Sequence, residues 1–405
     1  MKKMVILPVL ILLIVNSVGC KAKFLPMSTE ISDLRLVQVV GVDKSDDNPG
    51  YVSITAASKR MPYIGGEESS GDRGGGNESR EGKALVLNAE GKTVFEAVRN
   101  IQTHGDKRIF WNHIKYYLIS EEAARENISK YIDFFTRDHE FRIDAKIYIV
   151  KGSTTRELIE QVNKTEYFIV DKLDNLGRNM GLLSISEEMK IPALMRFIDI
   201  HHSSTRVPCI ELVRRHNDDK RQLLDIDING YAIFKDLKLV GFIERDISRG
   251  VNLITDNMES SIVVVKDFSG QDVSLEITQS NTEIIPHFIG DELVEVTIKT
   301  KVKSNLDEIH SQIDVTTEDS FRYMEKQQSE ILKNEMEKSL NKVLELESDC
   351  LGIGDRIRLR EPVKWKKIED RWMDMWPDIK YNIQVDSLIE RTYELKESSG
   401  YKRKE

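Results

Sequence analysis

The sequence predicts an α+β protein of three mixed α/β domains with largely antiparallel or mixed sheets, behind an N-terminal export signal. Three observations support this class. Strand-like and helix-like segments alternate up to about residue 200, β-rich runs follow one another between 261 and 302, and Thr317 to Asp349 contains neither Gly nor Pro. Alternating elements predict helices packed on sheets, and a long uninterrupted amphipathic segment predicts a helix that covers a sheet.

The first twenty residues have the pattern of an export signal. Met1-Lys2-Lys3 supplies positive charge, Met4 to Val18 is mostly apolar, and small residues precede Cys20. The apolar run is shorter than the ~20 residues that a membrane-spanning helix needs. The ending Ser17-Val18-Gly19-Cys20 resembles a bacterial lipobox, with Ser17 where leucine is usual. This resemblance implies a lipoprotein signal peptide cleaved between Gly19 and Cys20, and an N-palmitoyl, S-diacylglycerol Cys20; an ordinary export signal is the alternative.

Shifts in composition divide the remaining chain. The predicted segments are 1–19, signal peptide; 20–33, tether; 34–205, N-terminal α/β domain; 206–310, middle β-rich domain; 311–395, C-terminal domain; and 396–405, polar tail. Within the first domain, 62–82 is rich in glycine and poor in apolar residues, which predicts a flexible loop. Within the last domain, 317–349 is the long helix.

The elements of the first domain follow from hydrophobic periodicity and capping residues. Thr93 is a predicted N-cap for the helix that follows it. The predicted elements, in order, are a hairpin from 34–40 and 51–57, a helix after Thr93, a strand at 114–119, a helix from Ser120, a strand at 143–149, and helices at 154–162, 165–180 and 186–198.

The second half is predicted to contain more strands than helices. The predicted elements are a strand at 207–213, a hairpin at 231–243, a short helix at 245–253, strands at 261–265, 273–278, 283–289 and 293–302, the long helix, and a strand at 381–385. Trp365, Trp372 and Trp376 fall near one helical face. Their spacing favours a place in the core over a platform for sugar or lipid.

Composition excludes some classes of function. The 405 residues have a formal net charge of −9 and are 31% charged. An acidic chain is a poor match for nucleic acid, and it argues against a broad electrostatic contact with anionic lipid. Beyond Cys20, only Cys209 and Cys350 remain. Separate buried thiols are favoured over a disulfide, which stays open.

No motif predicts catalysis or a metal site. The chain lacks GxSxG, HExxH and GxxxxGK[ST]. His201-His202 are neighbours that cannot point the same way from a helix or strand. Trp111-Asn112-His113 and Arg137-Asp138-His139 are the densest polar groups. They are compatible with a catalytic site, but a polar network is favoured, with Asp138 satisfying buried donors.

Several segments in a fixed order resemble a known family. They are Gly41-Val42-Asp43, Gly91 to Arg99, Arg108 to His113, Phe134 to Arg142, and Gly230 to Lys235 leading to Leu239-Val240-Gly241. Behind a lipobox, this order is similar to the spore germination Ger(x)C family, the lipoprotein subunits of nutrient germinant receptors. The resemblance implies structural roles for Arg108, Trp111, His113, Arg137, Asp138 and Gly241.

The resemblance also implies a function. It implies a lipid-anchored, non-enzymatic subunit on the outer face of the spore inner membrane, in contact with two integral-membrane receptor subunits. Neither a cofactor nor a directly bound small molecule is expected, and the family fold is three mixed α/β domains. A solute-binding lipoprotein of a transporter and a hydrolase of the spore cortex are the alternatives.

Overall fold

The computed structural model describes residues 33–59, 84–165, 168–199, 204–216, 222–309 and 314–392. The predicted signal peptide, nearly all of the tether, the loop 62–82, the tail and His201-His202 lie outside these residues. The strands are β1 Leu34–Leu36, β2 Val39–Lys44, β3 Val52–Lys59, β4 Ala84–Gly91, β5 Arg108–Phe110, β6 Tyr116–Ser120, β7 Lys146–Lys151, β8 Thr205–His216, β9 Gln222–Lys235, β10 Lys238–Ile243, β11 Ser261–Lys266, β12 Asp272–Ile289, β13 Glu292–Ile309 and β14 Lys380–Thr392.

The helices lie between these strands and cover the sheets. They are α1 Val94–Gln102, α2 Glu121–Arg137, α3 Thr155–Asn163, α4 Ile169–Leu183, α5 Ile191–Asp199, α6 Arg245–Thr255, α7 Glu318–Glu345, α8 Ile353–Arg360, α9 Pro362–Ile368 and α10 Trp372–Met375. Within the described ranges, no helix is both long enough and apolar enough to cross a bilayer.

An eight-stranded mixed sheet has the order β10-β9-β8-β7-β6-β2-β3-β4. Its central pairs β2–β6, β6–β7 and β7–β8 are parallel, and the outer pairs are antiparallel. The hairpin predicted at 231–243 is confirmed as β9–β10. The hairpin predicted from 34–40 and 51–57 is confirmed only in part, because β2 pairs with β3 but residues 34–36 belong to the separate strand β1. A separate parallel ladder joins β1 to β5. Helices packed on mixed sheets confirm the predicted α+β class.

The eight-stranded sheet crosses the position of the predicted boundary at 205/206. Ile149 of β7 lies opposite Cys209 of β8, so β8, β9 and β10 extend the sheet of the N-terminal residues. Sequence periodicity marks a strand but does not identify the neighbour to which it hydrogen-bonds, so the predicted boundary follows a change in composition and not the strand pairing.

A four-stranded sheet, β11-β12-β13-β14, wraps α7. The Gln327 side chain bonds the backbone N–H and carbonyl of Lys266 on β11, at 3.1 and 2.7 Å. On the far edge, Ser329 and Glu325 accept bonds from Ser387 and Ile389 of β14. One helix therefore satisfies polar groups on both sheet edges, where an unpaired strand invites association. The predicted strands 273–278 and 283–289 are one continuous strand, β12.

Side-chain caps fix the starts of four helices. The hydroxyls of Thr93, Ser120, Thr154 and Thr317 each accept the backbone N–H three residues on. Such a bond satisfies one of the N–H groups that a helix start leaves unpaired. The predicted N-cap at Thr93 is confirmed, as is the predicted helix start at Thr154.

Most apolar residues of the predicted elements are buried, and a few are not. Trp365, Trp372 and Trp376 are all buried, as expected. Ile143 was expected to face inward in a strand, but it is half exposed and precedes β7. Along α7, Phe321 and Ile331 are only partly buried, whereas Leu332 is fully buried. The buried face of this 28-residue helix shifts gradually around the helix axis. A hydrophobic repeat fitted over a short stretch therefore assigns some buried positions wrongly.

Candidate functional site

Four of the six motif residues lie at one end of the eight-stranded sheet, and a fifth, Arg137, immediately precedes one of the segments that form it. We define the basal end as β1 together with the segments 103–115 and 138–145, where the parallel strands β6 and β7 begin. Lys115 and Lys146 join these segments, because the N–H of Lys146 donates to the Lys115 carbonyl at 2.9 Å. The N–H of Lys115 in turn donates to the Gln38 carbonyl at 2.8 Å, next to β1.

Trp111 is the apolar anchor of the basal end. Its side chain is 2% exposed, and its ring stacks on Phe141 with 5.1 Å between centroids. The N–H of Ile114 donates to the Trp111 carbonyl at 3.1 Å and closes a turn before β6. Trp111 therefore joins the two basal segments through packing, and pairs of this kind contribute about 1 kcal/mol beyond area burial.

Asp138 ends α2 rather than serving the sheet. Its carboxylate accepts the backbone N–H of exposed Glu140 at 2.8 Å, and its own N–H donates to Phe134. The prediction that this carboxylate satisfies buried donors is wrong, because its bond to Glu140 is at the surface. Arg137 is exposed and pairs with Asp133 one turn earlier. These contacts hold a local turn.

The histidines do not form a catalytic pair with Asp138. The His139 side chain is 96% exposed, and its Nδ1 is 3.8 Å from the Asp138 carboxylate. His113 is exposed and contacts the Phe110 ring, with 5.6 Å between centroids. Arg108 is exposed on β5, opposite Leu34. Among the described residues, no group of three potential ligands could hold a metal ion.

The Gly41-Val42-Asp43 segment anchors α3. The Asp43 carboxylate accepts two bonds of 2.7 Å from Thr155, through its N–H and its hydroxyl, and one of 3.2 Å from the Arg156 N–H. Burial raises the pKa of Asp43, and these hydrogen bonds oppose that rise. A side chain at Gly41 would collide with the Thr155 hydroxyl. Gly41 and Asp43 thus both contribute to the same contact with Thr155: the glycine leaves room for it, and the aspartate accepts its hydrogen bonds.

Gly241 is the motif residue far from the basal end. A Cβ at this position would lie 2.6 Å from Cδ2 of Leu346, the residue that ends α7. The close approach lets β10 pack beneath the end of the long helix. Gly241 therefore lies at the contact between the eight-stranded sheet and the helix that packs on the four-stranded sheet.

Arg206 is a central residue that sequence reasoning missed. Its buried guanidinium donates to the Cys350 carbonyl at 2.8 Å and pairs with Glu187. It also lies over the Tyr231 ring, 5.6 Å from the centroid. Arg206 lies in a polar stretch of the sequence, so the neighbouring residues do not indicate that it is buried. Cys209 and Cys350 are both free and buried, and burial raises the pKa of the Cys350 thiol to about 12.

A cleft of about 510 Å³ opens between the end of α4 and the α6–β11 connection. Much of its polar lining is already engaged inside the protein. Glu187 is bonded to Arg206 and Asn257, and Glu188 pairs with Lys146. The cleft is large enough for a small molecule but is mainly polar, unlike most ligand sites.

Two family matches cover most of the chain. Residues 28–214 match the spore germination protein N-terminal domain, and 229–393 match the spore germination B3/GerAC-like C-terminal domain. The chain belongs to the Ger(x)C family of spore germination proteins. The resemblance identified from the motifs is thereby confirmed.

Known members of this family are distant in sequence but similar in length. Spore germination protein KC of Bacillus subtilis (strain 168) is 22% identical, with 90% of each chain covered. Spore germination protein A3 of the same organism is 25% identical over 89% of this chain and 91% of its own. The crystal structure of the GerBC protein aligns with a TM-score of 0.55 and 18% identity, over 86% of this chain and 96% of its own. It shares the fold of this chain.

Proposed function

We propose that the chain is a lipid-anchored, non-enzymatic subunit of a spore nutrient germinant receptor. The family matches over both halves of the chain support this most strongly. The curated relatives are named as spore germination proteins. In this proposal, acyl chains on Cys20 hold the body at the outer face of the spore inner membrane, and its folded surfaces contact two integral-membrane subunits.

The basal end supports a binding role over a catalytic one. Its motif residues stack, cap a turn or form surface ion pairs. A catalytic base needs hydrogen-bond reach to a reacting group. The Nδ1 of exposed His139 is 3.8 Å from the Asp138 carboxylate, which is beyond that reach.

The anchor is tested in spores with Cys20→Ala. Two acyl signals give firm membrane attachment, so their loss releases the protein. We expect Cys20→Ala to leave the membrane fraction and to reduce germination with nutrients. Ser28→Ala, in the same predicted tether, is the matched control and keeps both. Normal membrane retention and germination of Cys20→Ala would refute the anchor.

The size of the polar cleft favours a second candidate function, that of a solute-binding lipoprotein. A ligand that binds the folded state raises the melting temperature by mass action. Stabilisation by an amino acid or sugar, abolished by Glu259→Gln in the cleft, would favour this alternative.

A further inference from the structure

An exposed aromatic surface lies beside the basal end, between α1 and the end of α2. The Phe95 ring contacts the Phe134 ring with 5.1 Å between centroids, and the Phe134 ring contacts that of Phe141 at 5.2 Å. Phe95 is nevertheless 46% exposed, and Phe134 is only partly buried. A depression of about 10 Å³ lies between these rings, lined on one side by α1 and on the other by the segment 138–141.

The depression is too shallow to enclose a small molecule, because ligand pockets hold about 300 Å³ or more. What covers the rings must therefore lie across them. The two sides carry opposite charges: the Arg99 guanidinium lies 5.0 Å from the Phe95 centroid, and the exposed Glu140 belongs to the other side. The other acid of the lining, Asp138, caps its own turn. A short apolar segment flanked by charges of both signs suits such a surface.

The chain itself supplies such a segment immediately before β1. The predicted tether contains a run of four apolar residues, Phe24-Leu25-Pro26-Met27. Lys23 precedes this run and Glu30 follows it, so charges of both signs flank it. Left in water, the apolar side chains forgo the favourable free energy of burial. The exposed rings beside the basal end offer apolar area on which they can be buried.

The apolar run is within reach of the aromatic surface. Leu34 lies opposite Arg108 in the β1–β5 ladder, and the backbone N–H of the residue after Arg108 donates to the Gln102 side chain at 3.5 Å. Gln102 is the last residue of α1 and lines the depression. From there, Phe95 is seven positions back along the helix (102 − 95), or about 11 Å. Met27 precedes Leu34 by seven residues (34 − 27), which span up to roughly 25 Å.

We propose that residues 24–27 pack on the aromatic surface, so that the segment between Cys20 and β1 is docked on the folded body. The docking does not depend on lipidation, but its consequence rests on the proposed anchor. An undocked segment from Cys20 to Asp33 would let the body move up to roughly 45 Å from the bilayer. Docking at Phe24 leaves four residues, roughly 14 Å, between the anchor and the body. The basal end is then held facing the membrane.

Photo-cross-linking in spores tests the contact. The full chain is produced with p-benzoylphenylalanine in place of Phe24, and cross-linked peptides from the membrane fraction are identified by mass spectrometry. We expect cross-links within the chain, to residues 95–102 and 134–141. Cross-links to lipid, to another protein or to a different part of the chain would each identify another neighbour for this side chain and overturn the proposal. The absence of any cross-link would show that the side chain faces water, which contradicts docking.

Two pairs of variants make the test specific. Phe95→Ser removes a ring of the aromatic surface and should abolish the internal cross-link. Phe268→Ser removes another exposed ring, which is 57% exposed and stacks on Tyr323, and should leave the yield unchanged. Equal yields from these two variants would show that the contact does not need the aromatic surface. In the tether, where the folded body is untouched, Leu25→Ser should reduce the yield and Ser28→Ala should not; equal yields there would also refute the docking.

Failure of the proposed anchor is a separate result. Mass spectrometry of the native protein would show an unlipidated Cys20, whereas the cross-link reports only on where residue 24 lies. In a Cys20→Ala chain, the internal cross-link should persist even when the protein leaves the membrane fraction. Loss of the cross-link in that chain would show that the membrane, and not the aromatic surface, holds the segment in place, and the docking proposal would then be wrong.

Discussion

The backbone N–H of Ile128 donates to the carbonyl oxygen of Leu237 at 2.9 Å. Ile128 lies within α2, and Leu237 lies in the β9–β10 turn with φ of 67°. Asn127 interrupts the helix with extended dihedral angles, which frees the Ile128 N–H for this bond. The kink in α2 therefore has a specific cause, a helix N–H that bonds a hairpin more than a hundred residues away.

The first prediction concerns the residue that restarts the helix. The Asn127 side chain accepts the Ser129 N–H at 2.9 Å, as an N-cap does. Asn127→Ala should lower the free energy of unfolding by about 1 kcal/mol, measured by urea denaturation. Asn127→Asp keeps an acceptor and should stay close to the parent. Equal stabilities of the alanine and aspartate variants would show that the cap contributes nothing.

The second prediction concerns the contact between β10 and the end of α7. Gly241→Ala places a methyl group 2.6 Å from Leu346 Cδ2, so overpacking should cost about 1–3 kcal/mol of unfolding free energy. Shortening the neighbour in the pair Gly241→Ala with Leu346→Ala should restore part of that loss. A double-mutant cycle measures the coupling. Purely additive effects would contradict the contact.

The third prediction concerns the buried guanidinium. Removing one partner of a fully buried ion pair costs about 3–5 kcal/mol. The Glu187 side chain remains 27% exposed, so we expect about 2–3 kcal/mol for Arg206→Met. Arg206→Lys keeps the charge but cannot reach both Glu187 and the Cys350 carbonyl. Its free energy of unfolding should therefore lie between those of the parent and of Arg206→Met. A methionine variant as stable as the parent would mean that desolvation cancels the pairing.

The fourth prediction concerns pH. Asp349 accepts bonds from the N–H groups of Ile353 and Gly354 and from the Trp372 indole, at 2.8–2.9 Å. Burial nevertheless raises the pKa of Asp349 from 3.8 to about 6. The folded state therefore binds a proton more tightly than the unfolded state does. This contribution to stability is fully present below the unfolded pKa and is lost as pH rises through about 6.

The measurement compares the parent with Asp349→Asn, which does not titrate. Urea denaturation from pH 4 to pH 7.5 is expected to show that the parent loses up to about 3 kcal/mol relative to the variant. Other carboxylates titrate in both proteins and cancel in the difference. A difference that does not change with pH would place the folded pKa of Asp349 near its ordinary value.

Local elements were predictable from the residues alone. The cap at Thr93, the helix start at Thr154, the β9–β10 hairpin, the long helix and the buried tryptophans depend on spacings of two to seven residues along one segment. The motif segments also indicated the family, and their order along the chain is a property of the sequence. Which of them meet in space was not evident, although Arg108, Trp111 and Asp138 share the basal end.

The tertiary structure decided what distant residues do to one another. β8 joins β7 across a predicted boundary, Arg206 is buried between elements far apart in sequence, and Gly241 is tight only because Leu346 lies above it. By itself, the sequence determined the local elements, the predicted lipidation signal and the family. Sheet order, burial of a charge and the space around a glycine depend on long-range pairing, which no local period records.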